Sequence, residues 1–285
     1  MNEPLVSLII PIYGVESYIE QCARSVLEQT YPSLEFIFVN DGTKDRSMDV
    51  LSRVLEDFPG KCVKIVNKEN AGLPLARKSG LEVATGEYIL HVDADDWIEP
   101  DTVEKLVAEA LRTGSDLVYY DVQKEFGDRT RLNHEKPYTV ADKAVWMKRL
   151  YHDAAYGYLC SKFASRKLYE GIFVPRFNMH EDIVFSTQLI FRAQTIAQLP
   201  LPLYHYRRTN PGAATRIAKA RRRSQSARNM LDLYVNGGDE VKVVEKDLLG
   251  KCLRNALFYD RSIFSAYPFL REKVSPILRW LLPTA

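Results

Sequence analysis

The chain has 285 residues, 46% of them hydrophobic, with 14 glycines and 14 prolines, which excludes collagen-like and disordered proteins and predicts a buried core. Residues 1–120 hold 11 basic and 21 acidic side chains, whereas residues 121–285 hold 28 and 16. This separation argues against nucleic-acid binding, which needs positive charge spread along one face. It suits a metal site in the first half and an anionic ligand or surface near the second.

Short apolar runs alternate with helical patterns in the first 122 residues. The predicted strands cover residues 6–12, 35–40, 63–67, 88–93 and 116–122, and the predicted helices cover residues 16–29, 45–58, 73–84 and 100–113. These strands are apolar without strict alternation, which is typical of strands covered on both faces. The sequence therefore predicts an α/β fold, Rossmann-like, in which helices flank a mostly parallel sheet.

The pattern is less regular beyond residue 122. Residues 124–136 are charged and predict an exposed loop, and helices are predicted near residues 140–152, 160–170 and 176–193. Two short strands are predicted at residues 196–199 and 203–206. Helical sequence follows, so we expect a helical C-terminal region.

The cysteines and the N-terminal residues indicate in which cellular compartment the protein is expected. The four cysteines, at positions 22, 62, 160 and 252, have no close spacing, which indicates reduced thiols rather than a zinc site or a disulfide framework. The N-terminal apolar run lacks a basic flank and contains Pro11 and Gly14, so it predicts a strand rather than a signal peptide. No apolar run reaches the roughly 18 residues of a membrane span. We therefore expect a cytoplasmic protein.

Polar, acidic or glycine-bearing residues follow the ends of four predicted strands, at positions 11–14, 40–43, 70–72 and 93–96. Any one of them would pass for an ordinary turn, but ligands bind at the carboxyl ends of parallel strands, where the four would meet. Asp93, Asp95 and Asp96 place three carboxylates within four residues, and such groups repel one another unless a cation offsets them. Oxygen ligands of this kind suit Mg²⁺ or Mn²⁺ together with substrate phosphates.

An ordered set of segments carries a family resemblance. The set comprises residues 6–13, 39–43, 70–73, 76–77, 86–89, 93–96, 162, 180–185 and 204–207. In this order the segments resemble family 2 glycosyltransferases with a GT-A fold. The resemblance implies transfer of a sugar from a nucleotide-sugar donor, UDP-linked, to a hydroxyl group of a glycan or lipid-linked glycan acceptor.

The resemblance also assigns donor-site roles. Pro11, Tyr13 and Glu16 would border the nucleotide base and ribose, Asp41 would accept a hydrogen bond from the base, and Arg77 would lie near the base or the phosphates. Asp93 would lie nearer the ribose, Asp95 would be the principal ligand of Mn²⁺ or Mg²⁺, and Asp96 would be a supporting contact.

Acidic residues before an apolar helix supply the general base in this family, which places that role on Asp182. This carboxylate would take the proton of the acceptor hydroxyl in a single displacement with inversion. Glu181 would orient the acceptor, although an acidic residue at a helix start also complements the helix dipole. Lys162 would hold the acceptor or a phosphate.

The segment after residue 203 contributes further candidates. His205 is a candidate metal ligand, the alternative being a satisfied core or surface histidine. Arg207 fits a contact to the diphosphate in a closing loop, where Thr209 or Thr215 would supply a hydroxyl.

The C-terminal third is basic. Residues 216–228 carry six Lys or Arg and no acid, which fits a solvated helix face, an anionic membrane surface or a pyrophosphate-linked lipid acceptor. Residues 264–282 form an amphipathic pattern that fits either an interfacial helix or a helix packed on the domain. We expect residues 1–122 to bind nucleotide sugar and metal, residues 123–215 to supply the acceptor site and base, and residues 216–285 to form an extension. A peripheral position at the inner face of the plasma membrane would follow.

Three other functions fit parts of the pattern. A dinucleotide-dependent oxidoreductase would need a G-x-G-x-x-G turn after the first strand, where residues 11–14 read PIYG. A nucleotidyltransferase would need a glycine-rich triphosphate loop, and a non-catalytic binding module would have no need to keep both Asp95 and Asp182. The sequence identifies neither the sugar, nor the acceptor, nor the oligomeric state.

Overall fold

The first half of the chain forms a parallel sheet with helical crossovers. The computed structural model describes residues 3–213 and 216–273. Its first strands are β1 (Val6–Ile12), β2 (Leu34–Asn40), β3 (Val63–Asn67) and β4 (Tyr88–His91), and the helices between them are α1 (Ile19–Leu27), α2 (Ser47–Glu56) and α3 (Leu73–Val83). The strands pair in the order β3-β2-β1-β4, all parallel. The α/β fold predicted for this half is confirmed.

The sheet continues into the second half with mixed strand directions. The elements there are β5 (Trp97–Ile98), α4 (Thr102–Thr113), β6 (Leu117–Glu125), β7 (Thr130–Asn133), α5 (Lys143–Tyr151), β8 (Lys162–Ser165), α6 (Glu181–Arg192) and β9 (Ile196–Arg207). From β4 the order is β8-β6-β9-β5, and β7 pairs with β6. β8 is antiparallel to both of its neighbours, whereas β9 is parallel to β6.

Three predictions for the second half are wrong. Residues 124–136 are not a loop, because β6 runs to Glu125 and forms an antiparallel hairpin with β7. Residues 160–170 form β8 between two short 3₁₀ turns instead of a helix. Residues 196–207 form one strand rather than two, although its register with β6 shifts between Tyr120 and Val122. In each case strand pairing overrides the local pattern, within a hairpin for β6 and β7 and with strands far away in sequence for β8 and β9.

Both faces of the sheet are covered, which explains the unbroken apolar runs of its strands. Val6, Leu8, Ile10 and Ile12 pack with α1, α2 and α4 on one face. Ile9 belongs to the core on the other face, with α3, α5 and α6 and with two long helices, α7 (Lys219–Asn236) and α8 (Asp239–Phe258). The C-terminal helices therefore close over the sheet.

The chain then continues through two short helices, α9 (Ile263–Ala266) and α10 (Leu270–Lys273). Phe264 and Leu270 are fully buried in the same core, so this part of the amphipathic segment packs on the domain. Its remainder, 274–282, lies outside the described residues.

No helix within residues 3–213 and 216–273 is both long enough and apolar enough to cross a membrane. All four cysteines are free in the structure, and only Cys62 is exposed.

Candidate active site

A cleft of about 840 Å³ opens at the carboxyl ends of the parallel strands. All four predicted strand-end segments line it, through Pro11, Ile12, Tyr13, Gly14, Asp41, Asn70, Gly72, Asp93, Ala94 and Asp95. The start of α6 and the residues that follow β9 form the facing wall. The cleft thus lies at the edge of the sheet where a ligand site was predicted.

Asp41 fixes the loop ahead of α3. Its buried carboxylate accepts the backbone N–H of Ala71 (3.0 Å, to Oδ1) and of Gly72 (2.9 Å, to Oδ2), and Lys68 Nζ also donates to Oδ1. Gly72 has φ +91°, and a Cβ there would lie 2.5 Å from Oδ1 of Asn178. That same oxygen accepts the N–H of Leu73 (3.0 Å). Only glycine allows this close approach between the α3 loop and the segment before α6.

The three clustered aspartates divide into two roles. Asp93 and Asp95 line the cleft, whereas Asp96 is buried behind them. Asp96 accepts the hydroxyl of Tyr204 (2.8 Å) and the N–H of Arg207 (2.7 Å), which makes it a supporting residue. Asn210 Nδ2 donates to Asp95 Oδ2 (2.8 Å). Burial and the adjacent charge of Asp93 raise the pKa of Asp95, so negative charge is concentrated here without full compensation.

The residues present fit a divalent cation. Across residues 3–213 and 216–273, no group of three or more His, Cys, Asp or Glu side chains is placed to hold a metal. Two cleft carboxylates nevertheless match the way Mg²⁺ binds, through one or two carboxylates with water and substrate phosphates completing its shell. A cation would also offset the charge that raises the pKa of Asp95. Asp93 and Asp95 are therefore the candidate ligands.

Arg77 of α3 connects the aspartates to the start of α6. This residue is 2% exposed, and its Nη2 lies 2.8 Å from Asp93 Oδ1 and 3.3 Å from Glu181 Oε1. Burial alone would lower the pKa of Arg77, but the charges of Glu181 and Asp93 raise it, so the guanidinium stays protonated. Arg77 Nε and Nη1 and Glu181 Oε2 have no hydrogen-bond partner in the part of the chain that the structure describes. Arg77 thus acts as a charged link between the two halves.

Asp182 lies in the first turn of α6 and faces the same cleft. Burial raises the pKa of Asp182 to about 6, although the N–H of Ile183 and the charges of Lys162 and Arg77 lower it. His180, immediately before α6, has φ +58° and places Nδ1 2.7 Å from Ser226 Oγ. A carboxylate with this pKa can accept a proton at neutral pH and is a suitable general base.

Two predicted ligand contacts lie outside the cleft. Glu16 Oε2 accepts the N–H of Arg46 (2.9 Å) at the start of α2, and Glu16 does not line the cleft. Lys162 is fully buried on β8, where Nζ donates to the carbonyl oxygens of Tyr158 (2.7 Å) and Tyr156 (3.4 Å). Burial lowers the pKa of Lys162 to about 8. Its role is to support the segment under the cleft rather than to touch acceptor or phosphate.

His205 and Arg207 also lie away from the cleft, on the opposite face of β9. His205 places Nδ1 2.8 Å from Glu125 Oε1 and Nε2 2.7 Å from Glu99 Oε1, so neither ring nitrogen is free to bind a metal. Arg207 Nε donates to the carbonyl oxygen of Asp95 (2.8 Å), and its guanidinium lies 4.7 Å from the centre of the Trp97 ring. The structure corrects both predictions: His205 is a satisfied histidine and Arg207 braces the acidic loop.

Several residues of the cleft wall were not predicted as site residues. Arg208 lines the cleft, because side chains alternate along β9 and its extension, so that Tyr206 and Arg208 share one face. That period of two could have revealed Arg208 from the sequence. Asn178, His180, Arg222 and Arg223 line the cleft as well; the two arginines belong to the basic run 216–228, whereas the sequence assigned no role to Asn178 or His180. Thr209 is exposed outside the cleft, and Thr215 lies outside the described residues.

Comparisons with known proteins agree with this geometry. Residues 7–173 match the model of Glycosyl transferase family 2. EpsH of Bacillus subtilis (strain 168), named as a glycosyltransferase, is 34% identical over 218 residues, which cover 73% of this chain and 62% of EpsH. EpsJ of the same organism, named as an uncharacterized glycosyltransferase, is 32% identical over 224 residues, covering 75% of this chain and 64% of EpsJ. The chain spans less than two thirds of either relative.

Solved structures share the fold. TarS 1–349 of S. aureus in complex with UDP-GlcNAc superposes with a TM-score of 0.67 at 19% identity, covering 94% of this chain and 77% of that one. The mannosyltransferase PcManGT of Pyrobaculum calidifontis, in complex with GDP-Man and Mn²⁺, gives 0.62 at 18% identity, covering 94% and 76%. At these identities the likeness shows the GT-A fold alone.

Proposed function

The chain belongs to glycosyl transferase family 2, and we propose that it transfers a sugar from a UDP-linked donor to a hydroxyl group of a glycan or lipid-linked glycan, with inversion at the anomeric carbon. The observation that carries this proposal is the single cleft shared by Asp93, Asp95 and Asp182, with Arg77 linking its two sides. One side suits a diphosphate leaving group, and the other suits an incoming hydroxyl group.

The donor half of the cleft would hold the nucleotide and its diphosphate. Pro11 and Tyr13 line the end where the resemblance places the base. Among the described residues only the N–H of Gly72 donates to Asp41 Oδ2, which leaves this oxygen able to accept a second hydrogen bond. Asp93 and Asp95 would hold Mn²⁺ or Mg²⁺. Such a cation supplies charge neutralisation for a departing diphosphate. The complexes of TarS with UDP-GlcNAc and of PcManGT with GDP-Man support a nucleotide-sugar donor.

The acceptor half would perform the displacement. Asp182 accepts the proton of the acceptor hydroxyl as that oxygen bonds to the anomeric carbon, and the bond between this carbon and the diphosphate breaks with its electron pair leaving on UDP. One displacement inverts the configuration. General-base help of this kind is worth about 10²–10⁴-fold in rate. The raised pKa of Asp182 supports its assignment, because it makes the carboxylate more basic than an exposed aspartate.

Titration calorimetry and product analysis test the proposal. UDP should bind at least about tenfold more tightly with Mn²⁺ than with EDTA, because two carboxylates otherwise face the diphosphate. A panel of UDP-sugars and GDP-sugars, followed by detection of the released nucleoside diphosphate, identifies the donor. Equal UDP affinity with and without metal contradicts the metal assignment. Release of pyrophosphate instead would indicate a nucleotidyltransferase, and binding without any turnover would indicate a binding module.

A further inference from the structure

The start of α7 lies against the segment that precedes Asp182. Ser226 Oγ is 2.7 Å from His180 Nδ1, and Asn229 Nδ2 donates to the carbonyl oxygens of Phe177 (2.6 Å) and Met179 (3.0 Å). These contacts fix which face of α7 meets the cleft. Positions one helical turn before Ser226 are 222 and 223, since residues three and four apart share a face.

Arg222 and Arg223 occupy those positions and line the cleft beside His180 and Asp182. The backbone N–H of Arg222 donates to the carbonyl oxygen of Ala218 (2.9 Å), but neither guanidinium group forms an ion pair or hydrogen bond with any residue in the ranges 3–213 and 216–273. The nearby carboxylate of Asp153 is already 2.8 Å from Lys251 Nζ. Burial and these positive neighbours lower the pKa of His180 to about 4, so at neutral pH it adds no charge of its own. Arg223 still attracts Asp153 at longer range, but the acceptor end of the cleft carries two guanidinium groups without an ion-pair partner among the described residues.

These arginines are separate from the cations that border the donor half. Arg216 Nη2 donates to the carbonyl oxygen of Arg208 (2.9 Å), and both residues follow β9 together with Asn210, which contacts Asp95. That pair thus adjoins the loop that carries Asp95. Arg222 and Arg223 are instead on α7, beside the candidate base. An anion held by them would belong to the molecule whose hydroxyl Asp182 deprotonates.

We propose that Arg222 and Arg223 form a subsite for a negatively charged group of the acceptor, a phosphate or a carboxylate near the reacting hydroxyl. This inference rests on the proposed function. Guanidinium groups present planar forks of N–H donors that match either oxyanion, and hydrogen bonds between ionised partners are about twice as strong as neutral ones. The acceptor class is therefore an anionic glycan rather than a neutral one.

Binding to the UDP- and Mn²⁺-saturated protein tests the subsite, since UDP then fills the donor half. The probes are glucose 6-phosphate, methyl glucuronide and neutral methyl glucoside, titrated by NMR. The two anionic sugars distinguish phosphate from carboxylate. The test variant is Arg222→Gln/Arg223→Gln, and the matched control is Arg221→Gln, because Arg221 is exposed on the same turn and does not line the cleft. UDP affinity is measured on every variant.

At least one anionic sugar should bind about tenfold more tightly than methyl glucoside, and the double variant should lose that preference while Arg221→Gln keeps it. Equal binding of charged and neutral sugars, or unchanged binding in the double variant, would overturn the inference. So would a parallel loss of UDP affinity, which would assign the arginines to the donor. Failure of UDP to bind wild-type protein would refute the proposed function instead, and the titration without UDP would still test the subsite. The same variants are also tested for binding to phosphatidylglycerol vesicles. If none of the sugars binds but the vesicles bind the control and the double variant equally well, the basic run is a membrane contact and the subsite is wrong.

Discussion

The two ends of the cleft differ in charge and in how firmly their side chains are held. At the donor end, Asp41 accepts three hydrogen bonds and Asp96 accepts two, mostly from backbone N–H groups. At the acceptor end, Arg222 and Arg223 project from a helix without partners among the described residues. Hydrogen bonds thus hold these two carboxylates at the end that the proposal assigns to the donor, whereas the two guanidinium groups at the other end have no such bonds among the described residues.

This difference suits the two ligands that the proposal assigns. A nucleoside diphosphate is chemically constant, so a pre-ordered site avoids the cost of immobilising side chains on binding, about 0.5–1.5 kcal/mol for each long one. An acceptor site of free arginines pays more of this cost but adapts to different oxyanion positions. Substitutions among the fixed carboxylates should accordingly have larger effects than substitutions among the cations.

Asp182→Asn should produce the largest loss. We expect kcat to fall about 10³-fold, since the amide keeps the shape but cannot accept the proton, while UDP affinity stays within about twofold. Steady-state kinetics and calorimetry measure the two quantities. Turnover within tenfold of wild type would move the base elsewhere, with Glu181 the first candidate.

The same variant should be more stable than wild type at pH 8. The folded-state pKa of Asp182 is raised, so ionising it costs stability as pH rises through about 6. Removing the charge should gain about 1–3 kcal/mol at pH 8, and the gain should vanish toward pH 4. Urea denaturation at both pH values checks the sign.

Asp95→Asn should remove the metal-dependent part of donor binding. Loss of one carboxylate ligand is expected to weaken UDP binding in Mn²⁺ by about 10–100-fold, while affinity in EDTA changes little. Asp101→Asn is the control, because that half-buried residue forms an ion pair with Lys105 on α4 and does not line the cleft. A variant that keeps its full response to Mn²⁺ would remove Asp95 from the metal site.

Arg208→Ala and Arg207→Ala should act on different properties. Arg208 lines the cleft, so its loss should raise the donor KM about tenfold. Arg207 braces the carbonyl oxygen of Asp95 and covers Trp97, so its loss should mainly lower Tm, by about 3–5 °C. If Arg207→Ala instead has the larger effect on KM and none on Tm, the face assignment of β9 is wrong.

Lys162→Met should have the smallest effect, a shift in pH dependence. Asp182 must be deprotonated to act, so kcat should rise with pH through about 6. The charge of Lys162 lowers that pKa, and its removal should move the acidic limb upward by about half a pH unit. A kcat profile from pH 5 to 9 measures the shift. A limb that does not move would show that Lys162 has no influence on the base.

The sequence was most informative where structure depends on neighbours along the chain. Asp41, Asp93 and Asp95 could be placed in one cleft because crossover connections bring the carboxyl ends of parallel strands to one edge. The fold class followed from the same alternation. Asp182 came only from the family resemblance, and its assignment as base stays a prediction.

The positions of Lys162 and His205 depend on contacts between residues far apart in sequence, which local patterns do not reveal. β8 carries Lys162 into the core, and its charge is tolerated only because the carbonyl oxygens of Tyr156 and Tyr158 accept from it. No sequence pattern within residues 160–170 predicts those two hydrogen-bond partners. The contacts of His205 likewise join β9 to Glu125 of β6 and to Glu99, the residue after β5, which lie 80 and 106 residues away in sequence.

The position of β8 between β4 and β6 has a consequence for biosynthesis. A nascent chain that has emerged only to about residue 125 already contains β1 to β4, which can pair as they appear. One edge of β4 stays unpaired until β8, Lys162–Ser165, has been synthesised. Apolar, unpaired strand edges promote association between chains. We expect ribosome-bound chains of this length to need chaperone protection, and truncations before residue 162 to aggregate.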